Sequence, residues 1–242
     1  SGGSVQGTIK NFKSAVPGLN SYTTVLTADE VALENGSNLY YTARAVNLTV
    51  NANGTVGAPL SIMSARAAST WYYRWLWYNA TNGLTATLDT SSTAPTAPTG
   101  YTSTDYKCRL PGASRTDSSA NQYLLQIETL GKVSQYVVAT GSNVANMVAM
   151  ASGTASWPTA VAVGSFVPPT ASSICIALYV TAGQDAYVAP NSAYSGGNYV
   201  TGAQASTGGP IISSASMLIE GANIYWTSSG ANFLNCLGWE EA

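Results

Sequence analysis

Apolar and polar residues alternate along much of the chain, and the helical spacing of apolar residues is nearly absent. Between residues 40 and 52, Val46, Leu48 and Val50 each stand between polar neighbours. This period of two is typical of a strand with one buried face. Asn53-Gly54 follows it and is a strong turn signal. We therefore predict a β-strand over residues 40–52.

About ten short segments share this strand character and are separated by Gly, Pro, Asn and Ser, which argues for an antiparallel all-β fold. Residues 122–130 and 133–139 flank Gly131-Lys132 and predict a β-hairpin. Residues 89–101 and 185–209 are rich in turn-forming residues, and we predict loops there. The further predicted strands are residues 71–78, 84–88, 106–110, 160–167, 174–180, 211–219, 223–226 and 232–237. The pattern predicts an antiparallel β-sandwich or jelly-roll-like domain.

The domain organisation follows from the absence of a strong break in composition. Residues 1–4 (SGGS) are expected to be a flexible linker or a remnant of cloning. Residues 5–242 are predicted to form a single β-sandwich domain, and a subdivision near 140–157 is the alternative.

The composition changes the picture by what it excludes. Charged residues are 8% of the chain and the net charge is -2, against about 25% charged residues in typical domains. Clustered Lys and Arg are missing, so no nucleic-acid partner is expected. No apolar run approaches the roughly 20 residues that cross a bilayer as a helix, so no membrane insertion is expected. The 29 Ser and 27 Thr residues instead indicate a surface that makes neutral hydrogen bonds, which salt does not screen.

The chain offers little material for catalysis or metal binding. It has no His, which excludes Ser-His-Asp and Cys-His nucleophile systems and His-based metal sites. Cys108, Cys175 and Cys236 are widely separated and lie in apolar sequence, so we expect reduced, mostly buried thiols. Ser-Lys chemistry and a glycosidase-type carboxylate pair use only residues that are present, but the carboxylates are scattered. We expect no enzymatic activity, no cofactor and no metal.

Three blocks in the first half of the chain occur in a characteristic order: STWYYRW at 69–75, TAPTAPTGY at 93–101 and RTDSSAN at 115–121. With FVPPTAS at 166–172 and GWE at 238–240, this order resembles bacteriophage and prophage tail-fibre or virion-surface proteins. Ala120 stands where that pattern has Gly. The resemblance covers about residues 40 to 242. It implies a non-enzymatic β-rich protein exposed on the virion, commonly trimeric and often binding host-surface glycans.

Two features of the blocks have structural and functional interpretations. In residues 71–78, Trp71, Tyr73, Trp75 and Trp77 share one strand face, which is either buried in a central strand or stacked against sugar rings. A buried Arg74 would need a carboxylate partner, whereas an exposed one would mark the open face. The Asp-Ser-Ser sequence after Arg115-Thr116 suits a turn whose side chains bond the local backbone, with Arg115 clamping Asp117.

The function expected from the residues and the resemblance is a fibre or adhesion domain on the virion surface, outside the cell. Its expected partners are two further copies in a homotrimer, other virion proteins and a bacterial surface glycan. Recognition is assigned to the 185–209 loop because Tyr, Asn, Ser and Gly favour adaptable binding loops. The alternative is a capsid or head-decoration structural protein without receptor binding. The candidate ligand-binding residues are Tyr187, Asn191, Tyr194, Asn198 and Tyr199.

Overall fold

A computed structural model describes residues 8–137, 148–194 and 199–242. The described residues form β-strands and no helix, and the named strands pair antiparallel. The predicted all-β antiparallel sandwich class is therefore confirmed. The chain forms two compact units, Ser1–Ser134 (unit 1) and Gln135–Ala242 (unit 2). The division falls just before the segment 140–157, where the sequence analysis placed its alternative boundary.

Unit 1 is built from strands that form hairpins and short edge pieces. The strand bounds are β1 Ile9–Lys10, β2 Lys13–Ala15, β3 Thr23–Glu34, β4 Tyr40–Asn51, β5 Trp71–Asn79, β6 Gly83–Asp89, β7 Tyr106–Arg115 and β8 Ile127–Leu130. The 12-residue strand β3 is central, since β4 pairs with it from Thr23–Asn51 to Glu34–Tyr40, while β1 and β2 pair with its other side. β9, Val133–Tyr136, follows the predicted turn at Gly131-Lys132 and crosses the boundary between the units.

The core of unit 1 lies between the β3–β4 hairpin and the layer formed by β5, β6 and β7. The alternation in β4 directs Val46 and Val50 into this core, as the sequence predicts, where both are at most 4% exposed. Tyr72 and Leu76 of β5 enter it from the opposite layer and are fully buried. Two layers packed through alternating apolar residues are the basis of a sandwich.

The second face of β5 is also buried, so the aromatic strand is a structural element. Tyr73, Trp75 and Trp77 are at most 6% exposed and pack with Tyr101 and Ala97 from the predicted loop between β6 and β7. The indole nitrogens are satisfied, because Trp75 donates to Ser91 O at 3.0 Å and Trp77 to Thr87 Oγ1 at 3.0 Å. Stacking of sugars on this strand is excluded by its burial.

A β-bulge in β7 explains the environment of Arg74. Tyr73 pairs with Ala113 and Trp75 with Arg109, so Arg74 alone faces Leu110-Pro111-Gly112. The Arg74 side chain is fully buried and donates to Pro111 O at 3.2 Å and to Ala113 O at 3.0 Å. It also donates to Ser114 Oγ at 3.3 Å and Thr129 Oγ1 at 3.0 Å. All four oxygens are neutral: Pro111 O lies within the bulge, Ala113 O lies beside it, and the other two are side-chain hydroxyls.

Gly112 is required by the same arrangement. Its φ of +71° lies in the left-handed region, and a Cβ atom at this position would lie 2.8 Å from Arg74 Nη1. The absence of a side chain therefore makes room for the guanidinium in the bulge.

Unit 2 contains two sheets whose strands are interleaved in sequence. The bounds are β10 Val148–Ser152, β11 Ala155–Ala162, β12 Ala171–Val180, β13 Asp185–Ala189, β14 Thr201–Gln204, β15 Ile211–Leu218, β16 Asn223–Ser228 and β17 Phe233–Glu241. One sheet follows the order β15-β12-β17 with β10 paired to β17, and the other follows the order β11-β16-β13-β14. Strand β12 of the first sheet contacts β13 and β14 of the second, and each of the two sheets contributes buried side chains.

Three details of the sequence analysis are corrected by the structure. The strand predicted over residues 160–167 is displaced, because β11 covers Ala155–Ala162 and residues 164–166 form a turn. Residues 185–209 are not one loop, because β13 and β14 pair with each other from Asp185–Gln204 to Val188–Thr201. Buried Ala186 and Val188 supply the inward face that a solvated loop lacks. The Asp117 turn forms as predicted, with Ser119 N and Oγ donating to Asp117 Oδ1, but the Arg115 guanidinium lies over the Trp71 ring at 5.6 Å instead of clamping Asp117.

Candidate functional site

The five candidate residues of the 185–209 segment occupy different environments. Tyr187 lies on β13, and Tyr199 lies two residues before the start of β14. Asn191 starts a turn in which its Oδ1 accepts from Ala193 N at 2.9 Å, and its Nδ2 donates to Glu220 Oε2. Tyr194 is half-buried at the end of a described segment, and Asn198 lies outside the described residues. The structure therefore brings together Tyr187 and Tyr199.

These two tyrosines form an aromatic cluster with Trp157, which we call the aromatic platform. The Tyr187 and Tyr199 rings stack with centroids 4.8 Å apart and an interplanar angle of 25°. Trp157 meets Tyr199 edge-on, with centroids 4.9 Å apart and planes at 72°. Both distances lie in the range in which aromatic pairs attract. All three side chains are half-buried, so each keeps part of its surface in contact with solvent.

The backbone beneath Tyr187 is shaped to receive its ring. Tyr187 pairs with Gly202 of β14, and a Cβ atom on Gly202 would lie 2.1 Å from Tyr187 Cδ1. The ring therefore lies across the bare backbone of Gly202, an arrangement in which an aromatic side chain covers a strand glycine. Any larger residue at position 202 would displace the ring from the platform.

The aromatic platform rests on a rigid part of unit 2. Strand alternation places Tyr187 on the face opposite Ala186 and Val188, which are fully buried. On the neighbouring strand β16, Ile224 and Trp226 are at most 2% exposed and pair with residues of β11 and β13. Supporting elements of this kind hold binding side chains more precisely than loops do.

Trp157 is the member that the sequence analysis missed. Between Ala155 and Thr159 the register of β11 against β16 shifts, so that three residues of β11 oppose Thr227. A bulge redirects a side chain that regular alternation would place elsewhere. The tryptophan is about 40 residues before Tyr199, and no sequence pattern links the two; its isolated position in a Ser-Trp-Pro turn-like segment is the only local signal.

Hydroxyl and amide groups surround the aromatic platform. Thr227 lies directly opposite Tyr187 on β16 and donates through Oγ1 to Ala155 O at 2.9 Å. Asp185 and Gln204 are paired two residues along the same hairpin from Tyr187 and Gly202. An aromatic surface bordered by such groups offers stacking for the apolar C–H face of a sugar ring and hydrogen bonds for its hydroxyls.

In the part of the chain that the structure describes, no group of three or more His, Cys, Asp or Glu side chains is placed to hold a metal ion. No helix long and apolar enough to cross a membrane occurs in those residues either. The three cysteines are free thiols, as predicted, but only Cys236 is buried, whereas Cys108 and Cys175 are half-buried.

Comparison of the chain with family models, curated proteins and solved structures finds no significant match. The assignment of function therefore depends on the residues and geometry described above.

Proposed function

We propose that this protein is a non-enzymatic fibre or adhesion domain of a virion surface, which binds a neutral glycan of the bacterial surface through the aromatic platform. The observation that carries the proposal is the clustering of Trp157, Tyr187 and Tyr199 on a rigid strand framework with their rings partly open to solvent. Tyr and Trp provide a large contact area at a small cost in conformational entropy, which suits them to recognition surfaces.

The charge of the chain favours a neutral ligand. A net charge of -2 and only nine basic residues provide no general electrostatic attraction for a strongly acidic polymer. The groups around the platform, such as Thr227 and Gln204, form neutral hydrogen bonds whose strength depends little on ionic strength. Binding of this kind persists in the varied salt conditions met outside a cell.

Avidity from a homotrimer would raise the strength of individually weak contacts. The edge strand β15 offers a surface for such an assembly, because it pairs with β12 on one side and contains no charged residue. Ile212 and Leu218 on this strand are 57% and 68% exposed. Uncharged edge strands with exposed apolar residues readily pair with other chains. We expect light scattering to give about three times the chain mass of 25.0 kDa.

The binding experiment uses the labelled full chain on an array of bacterial surface polysaccharides and on cells that carry the recognised glycan. Trp157→Ala and Tyr199→Ala should each weaken monovalent binding by roughly 3- to 10-fold, since an aromatic contact contributes about 0.5–1.5 kcal/mol. Gly202→Ala should weaken binding similarly while leaving every aromatic residue in place, because it displaces the Tyr187 ring. Tyr40→Ala is the matched control, since Tyr40 is an exposed tyrosine of unit 1.

The outcomes distinguish the two functional classes. Binding that survives all three platform variants would place glycan recognition elsewhere. A wild-type trimer that binds no polysaccharide and no cell, but that associates with virion particles, would support the head-decoration alternative. Release of oligosaccharide from the bound glycan would contradict the non-enzymatic assignment.

A further inference from the structure

A groove in unit 1 is lined by three charged side chains, Glu34, Lys107 and Arg109, and by Trp75. It has a volume of about 410 Å³, which is within the roughly 300–1,000 Å³ of small-molecule sites. It opens beside β3 and β7, which pair with each other only through Glu34 and Lys107. Ala32 forms part of its floor, and Trp75 lines it from β5.

The carboxylate of Glu34 is the least satisfied group in this groove. Its Oε2 atom is buried from solvent, and no described group donates a hydrogen bond to it. A buried acceptor without a partner costs about 1–3 kcal/mol, and more when it is charged. A ligand that brings an O–H or N–H donor to this atom would remove that cost.

Two cationic side chains stand on the other side of the groove. Lys107 lies directly opposite Glu34 in the strand pair, and its Nζ donates to Ser103 O at 2.7 Å, which uses one of the three N–H bonds of the ammonium group. Arg109 is the next residue on the same face of β7. Their positions are fixed by aromatic rings, with Lys107 Nζ 5.8 Å from the Trp77 ring centre and the Arg109 guanidinium 5.9 Å from that of Tyr73.

We propose that this groove binds one saccharide unit through neighbouring hydroxyl groups. One hydroxyl donates to Glu34 Oε2, and the oxygens of the ring or of other hydroxyls accept from Lys107 and Arg109. Hydrogen bonds to charged groups are roughly twice as strong as neutral ones, which compensates for the small contact area.

A hydroxylated neutral ligand fits this groove better than a charged one. An anion would engage the two cations but would be repelled by Glu34 and would leave its Oε2 atom unpartnered. A monovalent cation would satisfy Glu34 but would be repelled by Lys107 and Arg109. A sugar both donates and accepts, so it can engage the carboxylate and both cations. The groove shares no residue with the aromatic platform, and this proposal does not depend on the function proposed for the platform.

The test is an NMR titration of the ¹⁵N-labelled full chain with methyl glucoside, methyl galactoside and methyl mannoside, each up to about 50 mM. A ligand efficiency of about 0.3 kcal/mol per heavy atom predicts a Kd on the order of 1 mM for a hexoside. We expect at least one hexoside to cause saturable shifts at the backbone amides of Lys107 and Arg109 and at the Trp75 indole. Inorganic phosphate and glycine serve as the anionic and zwitterionic probes.

Glu34→Gln should weaken hexoside binding at least about threefold, and Lys107→Met should do so as a second, independent variant. Glu128→Gln, at an exposed position of β8, is the matched control and should bind as the wild type does. Tyr199→Ala should leave this titration unchanged, which separates the groove from the platform. The proposal is overturned if no hexoside shifts the groove signals, if Glu34→Gln and Lys107→Met both bind normally, or if phosphate or glycine binds more tightly than every hexoside.

Discussion

Replacing the buried Arg74 by Met should strongly destabilise unit 1. Met retains an unbranched apolar side chain of similar reach but removes all the N–H donors. The change leaves Pro111 O and Ala113 O, which now accept from the guanidinium at 3.2 and 3.0 Å, without these hydrogen bonds inside the bulge. The hydroxyls of Ser114 and Thr129 lose the same donor, although Thr129 can still bond Ser134 at 3.0 Å.

The magnitude follows from the opposing contributions. Two orphaned buried carbonyls cost about 1–3 kcal/mol each. The guanidinium no longer has to be desolvated, which recovers part of that loss. We therefore expect Arg74→Met to lower the free energy of unfolding of unit 1 by about 2–4 kcal/mol. Gly112→Ala should act in the same direction, because its Cβ would contact the guanidinium at 2.8 Å in a backbone conformation with φ of +71°.

Native-state hydrogen exchange of the β5 and β7 amides measures this loss within unit 1 and does not require the whole chain to unfold in one step. Arg44→Met is the matched control, because the Arg44 side chain is 76% exposed and its ion pair with Glu30 at 3.3 Å should contribute less than about 1 kcal/mol. Thr129→Val should cost less in the Arg74→Met background than in the wild type if the two side chains act together. A loss below about 1 kcal/mol for Arg74→Met, or strict additivity with Thr129→Val, would refute the role assigned to the buried guanidinium.

Two further predictions concern titrating groups. Burial raises the pKa of Cys108 to about 11 and that of Cys236 to about 12, so both stay protonated in the folded protein after an unfolded thiol with a pKa near 9.0 has ionised. The free energy of unfolding should therefore fall as pH rises above about 9. A thiol reagent near pH 8 should react with all three cysteines in urea, but not with Cys108 and Cys236 in the folded protein. A native disulfide, or equal reactivity with and without urea, would contradict this. Burial tends to raise the pKa of Asp105, but hydrogen bonds from Asn79 and Thr102 outweigh it and lower the pKa below its usual value. Asp105→Asn should thus lower the melting temperature at neutral pH. The difference in melting temperature between the variant and the wild type should vanish as the pH falls through the lowered pKa of Asp105. A difference that is independent of pH would contradict the role given to the ionised carboxylate.

The strands with regular alternation could be predicted because their signal is local. Val46 and Val50 show the period of β4 within six residues, and the turn at residues 79–83 separates two segments that pair as the β5–β6 hairpin. Strands β13 and β14 were missed because small and polar residues dominate them. Their inward face consists mainly of Ala186, Val188 and Ala203, which become recognisable as core residues only when β16 and β12 lie beside them.

The candidate site could be predicted in part. Tyr187 and Tyr199 entered the prediction because Tyr, Asn and Gly are typical of recognition segments, and the hairpin brings their rings together. Trp157 could not be found in this way, since its position depends on a bulge in a different strand. The role of Gly202 was equally hidden, because a glycine in a polar segment predicts flexibility unless the facing residue is known to be an aromatic ring.

The sequence by itself determined the all-β class, most of the strands and the free cysteines, because alternation, turn residues and apolar density act over a few neighbouring residues. Only the tertiary structure decided the partners of these elements. The neutral oxygens around Arg74 come from the neighbouring strand β7 and from Thr129 of β8, and the platform joins residues that are about 10 to 40 positions apart. The groove at Glu34 likewise depends on where β3 and β7 stop pairing. Such features depend on register and on long-range packing, and a strand's own residues do not specify which strand will lie beside it.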